Sequence, residues 1–164
     1  MAGIAKRAAD RIIETLAAPS GLPAAVEELA KADGIDIGTL DARNILSTNV
    51  AAEIAERALE LKYPVVSVYC EKEVNNLREK FRVFSGSVRL AIEVRATQDR
   101  LEGLGSATEL YADAVARILD GSRGDWGNGM YYAGGYEIDF AAVKRGGRGF
   151  LQSAKVSFEV QISR

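Results

Sequence analysis

Residues 88–97 read VRLAIEVRAT. Val88, Leu90, Ile92, Val94 and Ala96 alternate with Arg89, Glu93, Arg95 and Thr97, the period of two that sends successive side chains to opposite faces of a strand. One face is core, and the other is either wet or in contact with a neighbour. That clean division belongs to an antiparallel sheet, because strands of a parallel sheet are buried on both faces.

Downstream, Ala154, Val156, Phe158, Val160 and Ile162 repeat the pattern, and Tyr136, Ile138 and Phe140 begin it in the strand before. RGGRG at 145–149 turns the chain between these two, giving a long C-terminal β-hairpin. About 13 residues per arm at roughly 3.4 Å each is on the order of 44 Å. A chain of this length packs into a sphere about 40 Å across, so the hairpin either curls within the domain or overhangs it for a neighbour to cover. Upstream of the quoted strand, Val66, Val68 and Cys70 alternate with Ser67 and Tyr69 after Tyr63-Pro64. The charged segment 72–80 (KEVNNLREK) reads as a loop, and so does glycine-dense 121–135 (GSRGDWGNGMYYAGG), mobile or tightly turned.

Helical spacing governs the remainder. Ile4, Ala8, Ile12 and Leu16, widened by Ile13, predict an amphipathic helix over 3–17. A second runs from Pro23 through Val26 and Leu29 to Gly34, and a third over 48–62 aligns Val50, Ile54, Ala58 and Leu61. Residues 35–46 read as a connecting loop. Ser106 and Glu109 have the spacing of a capping box opening a helix that continues to Gly121. The expected fold is one α+β domain over 1–164, an antiparallel sheet with helices on one face, mainly helical over 1–62 and sheet-forming over 63–164.

Composition narrows the function. With 21 Lys+Arg against 23 Asp+Glu the chain lacks the basic excess of a protein that grips nucleic acid over a broad face. The absence of histidine removes imidazole acid/base chemistry, Ser-His and Cys-His pairs and His-ligated zinc, so no catalytic residue, cofactor or metal is assigned. A single cysteine permits no internal disulfide and fits intracellular assembly, and no apolar run approaches the roughly 20 residues that span a bilayer.

The remaining candidates are surfaces. Arg89, Glu93, Arg95, Lys155 and Glu159, with Arg145 and Arg148 at the hairpin turn, form a mixed-charge face that is either solvated or paired across a subunit interface. Its carboxylates could alternatively serve acid/base work. Trp126, Tyr131 and Tyr132 give the glycine-rich segment the aromatic density of an interface core, though ordinary core packing explains them as well. Cys70 reads as a small buried hydrophobe.

One likeness joins these features. The long alternating strand, YADAV in the helix, then DW, YYAGGYEIDF, VKRGG and FLQSAKVSFEV resemble the tail terminator or tail completion proteins of long-tailed bacteriophages over roughly residues 63–164. The resemblance implies a non-enzymatic virion subunit, assembled in the host cytoplasm, that forms a hexameric ring where the tail meets the neck. Its implied partners are copies of itself, the tail tube protein, neck or connector proteins and, as a further candidate, the tail sheath. DNA would pass through the lumen unread. Alternatives are another head–tail joining subunit, or a histidine-free enzyme or small-ligand module.

Overall fold

The alternation at 88–97 builds a central strand. The computed structural model describes residues 3–48, 63–146 and 149–164. Helix α1 (Ile4–Ala17) buries Ala8, Ala9, Ile12 and Leu16, the stripe its four-residue spacing predicts. Helix α2 (Leu22–Asp33) carries a proline in its first turn and ends at Gly34, whose φ of 65° is the left-handed cap geometry that glycine adopts without a Cβ penalty. The segment after it is more structured than the loop expected over 35–46. A 3₁₀ turn (Ala42–Asn44) leads into β1 (Ile45–Leu46). All but the first residue of the helix expected over 48–62 lies outside the described residues.

β1 pairs in parallel with Val66 and Ser67 of β2 (Val65–Asn75), so the sheet is mixed rather than wholly antiparallel. β2 extends to Asn75, into the segment expected to be a loop. Its last residues pair with the strand that follows while Glu73 and Asn75 stay exposed, because a strand needs a ladder partner and not two buried faces. β3 (Ser85–Gln98) then pairs antiparallel with β8 (Gly149–Ser163) along its whole length.

Between them lies helix α3 (Leu104–Asp120), which begins two residues before the expected capping box. Gly103, at φ 82°, occupies the N-cap with no side-chain cap bond, and Ser106 and Glu109 are exposed inside the helix. Fully buried Leu104 explains the shift: starting the helix there sets an apolar side chain into the core, worth about 1.5–3 kcal/mol, more than the ~1 kcal/mol of a good cap.

Four short strands follow: β4 (Gly124–Gly127), β5 (Met130–Tyr132), β6 (Glu137–Phe140) and β7 (Lys144–Gly146). The sheet order is β1-β2-β3-β8-β5-β4, and β6 and β7 also pair with β8. The C-terminal hairpin is present, but its first arm is broken into β6 and β7. Gln98 pairs with Phe150, one residue from the start of β8, so β3 accompanies the hairpin almost to its turn and the overhang allowed by its length does not occur. α1 and α3 cover the sheet face that carries Val88, Leu90, Ile92, Val156, Phe158 and Val160, and α2 packs chiefly on α3.

Candidate interaction surface

The opposite face of the sheet collects charge. Glu71 is the unpaired residue of a bulge: Cys70 opposes Leu90 and Lys72 opposes Arg89, leaving Glu71 without a cross-strand partner. Its carboxylate accepts from Arg89 Nε at 3.2 Å and Lys155 Nζ at 2.8 Å, and Arg89 also reaches Glu137 at 2.9 Å. Partial burial pushes the Glu71 carboxyl up, but the bonded Lys155 ammonium and Arg89 guanidinium outweigh that and hold it below the usual carboxylate range. Glu71 is a residue that sequence reasoning missed. Simple alternation carries no signal for a bulge.

Beside this cluster, Tyr69 donates to Glu93 at 3.0 Å, and Arg95 lies 3.4 Å from the same carboxylate. Burial first, then the Glu93 charge, raises the Tyr69 phenol far above its ordinary value. Arg95 is 6% exposed and Ser67, Ala91 and Ser157 are also buried, so the middle of this face is closed rather than wet. Of the residues singled out for a subunit contact, Arg89, Glu93, Arg95 and Lys155 therefore sit together and pair within the chain. Glu159 and Arg145 are exposed, and Arg148 lies outside the described residues. Neither β3 nor β8 is a sheet edge, so a neighbour would meet these charges from above the face.

Of the two forms expected for 121–135, the structure has the tightly turned one, with two short strands inside it. Asn128 (φ 54°) and Gly129 (φ 77°) form a tight turn joining β4 to β5, and a Cβ on Gly129 would stand 2.0 Å from the Ser163 carbonyl. The turn thus lets β5 close against β8. Trp126 and Tyr132 are buried, with ring centroids 5.7 Å apart, and Tyr132 stands 5.3 Å from Phe158. Trp126 Nε1 donates to the Ser122 carbonyl at 2.7 Å, and the Tyr132 hydroxyl to the Gly135 carbonyl at 2.9 Å. These two rings serve the intrachain core, and Tyr131 alone of the three, at 53% exposure, faces outward.

A surface that the sequence did not announce lies between β2 and β3. Residues 76–84 (NLREKFRVF) hold Leu77, Phe81 and Val83 in solvent at 61%, 103% and 84% exposure. Leu77 (φ 48°) and Phe81 (φ 65°) take left-handed backbone, which costs a residue with a Cβ about 1 kcal/mol or more. Bracing holds the loop in that form. Asn75 Oδ1 accepts from the Leu77 and Ser85 amides at 3.2 and 3.0 Å, and its Nδ2 donates to the Val83 carbonyl at 3.1 Å. Glu79 accepts from Ser163 Oγ at 2.7 Å, and the Val83 and Phe84 amides both donate to the Arg164 carbonyl, at 2.7 and 3.0 Å.

A second feature is a groove of about 730 Å³ along α2 and residues 34–40, with Pro23, Val26, Ala30, Ile35 and Ile37 as its apolar lining. Among the described residues no group of three or more Cys, Asp or Glu could hold a metal ion, and no helix is long and apolar enough to cross a membrane. No protein-family model matches the chain, and no curated protein matches it in sequence.

Proposed function

We propose that this chain is a structural subunit of a phage virion, a tail terminator that forms a hexameric ring, ends the tail tube and joins the tail to the neck. The observation that carries the reading is apolar surface held in water on a braced loop: Leu77, Phe81 and Val83 expose side chains that the chain itself leaves uncovered. Large apolar side chains gathered on one exposed loop suit a protein–protein contact. A ring subunit needs two different complementary surfaces, because a heterologous contact must close on itself. The resemblance of residues 63–164 to tail terminator proteins supplies the kind of assembly.

In this role the chain performs no turnover. Its partners are copies of itself, the tail tube protein and the neck or connector proteins, with the sheath as a further neighbour, and DNA crosses the lumen without being read. The near balance of acidic and basic residues suits a channel that does not hold DNA. Negative-stain images of the purified protein test the reading. Sixfold rings with an open centre are expected, and a field of particles the size of one chain would overturn it. The runner-up, a different head–tail joining subunit, shares the ring, so its place in an imaged particle separates the two.

A further inference from the structure

The braced loop and the α2 groove stand at opposite ends of the same two strands. The loop follows Asn75 and precedes Ser85, where β2 ends and β3 begins. The groove's residues 36–38 gather with Tyr63, Pro64, Ala96 and Gln98, where β2 begins and β3 ends, and the Gly38 carbonyl accepts from the Tyr111 hydroxyl at 3.0 Å. The 14 residues of β3 separate them, on the order of 40 Å at about 3.3 Å per residue. A chain cannot bring its own loop into its own groove.

Their chemistry matches. The loop offers three apolar side chains among Arg78, Lys80 and Arg82, against one carboxylate, Glu79, which Arg82 already engages at 3.4 Å. The groove offers an apolar lining flanked by Glu27 and Asp36 against one ammonium, Lys31, which Glu27 engages at 3.1 Å. A positive apolar tip at one end of the molecule thus complements a negative apolar cleft at the other. Complementary fields of this kind steer association and suppress wrong partners.

We propose that the loop of one copy seats Phe81 in the α2 groove of the next copy, making this the heterologous contact that propagates the ring. The inference rests on the ring reading given above and names the two surfaces it requires. Phe81 is the anchor, since a buried aromatic removes about 150–250 Å² from water, and such anchors in pockets carry most of an interface's binding energy. Leu77 and Val83 close the edges of the cleft, while Arg78 and Lys80 meet Asp36 and Glu27 at the rim. The hydrogen bonds that fix the loop before docking reduce the ordering cost of association.

Two variants test the pairing. Phe81→Asp spoils the loop and leaves the groove intact, and Glu27→Arg with Asp36→Arg spoils the groove and leaves the loop intact. All three side chains are exposed, so both proteins fold, which circular dichroism checks. In sedimentation velocity at a concentration where the wild type assembles, each variant alone is expected to run as one chain. An equimolar mixture is expected to yield a two-chain species and nothing larger, because one good loop then meets one good groove. Wild-type assembly by either variant alone, or a mixture that stays at one chain, overturns the contact while the ring reading stands. A wild type that itself runs as one chain overturns both.

Discussion

Glu71 ties three strands together, since its carboxylate on β2 binds Arg89 of β3 and Lys155 of β8. Its folded pKa lies below the ordinary value, which is about 4.3 in an unfolded chain. The folded state therefore binds fewer protons than the unfolded state across that interval. The stability Glu71 contributes is fully present above the unfolded value and is lost as pH falls through the folded one. Glu71→Gln is expected to cost about 1 kcal/mol at pH 7, the scale of a partly exposed charge-assisted pair, and less as pH falls toward 3. Urea midpoints at pH 7, 5 and 3 measure this, and a variant that loses as much at pH 3 as at pH 7 contradicts it. Cys70 is simpler. Burial pushes its thiol up and the side chain packs against the core, so Ellman's reagent at pH 7 should label it more slowly than free cysteine, and equal rates would refute that protection.

At the scale of elements, the strands with strict alternation were legible because their two faces meet different surroundings. The 88–97 and 154–162 patterns, the stripe of α1 and the Pro23-to-Gly34 limits of α2 all became the elements they predict. The failures share a cause. β4 and β5 are too short to show a period, and glycine density hid an Asn128-Gly129 turn that is itself a hairpin signal. The capping-box spacing at Ser106 was outweighed by the burial of Leu104, a tertiary effect that local pattern does not contain. Two outcomes follow from the observed β4–β5 hairpin. Gly129→Ala should destabilise by more than about 1 kcal/mol, since it combines positive φ with a carbonyl in the place of the Cβ. Trp126→Ala should cost about 3–5 kcal/mol, the range for removing a core aromatic. Denaturant titration checks both, and a Trp126→Ala loss near zero would return that ring to the surface. Hydrogen exchange gives an independent view: β5 amides paired to β8 should be protected in the unassembled chain.

For the whole molecule, the α+β class and helices on one face followed from periodicity, whereas the candidate contact surfaces did not. The mixed-charge face drew attention because alternation displays charges, but bonds within the chain occupy Arg89, Glu93 and Lys155. Arg95→Glu would put a carboxylate in a buried site beside Glu93 and should unfold the subunit before it reports on assembly. Within the expected loop, the outward apolar side chains carry no sequence signal: charged residues among apolar ones read as ordinary solvated chain, and only three dimensions reveal that Phe81 and Val83 are braced outward. Light scattering of the purified protein across a concentration series decides between a ring and a single chain. A hexamer has a mass of about 106 kDa, six times the 17.6 kDa of one chain, and that species is expected. A mass of one chain at every concentration would contradict it.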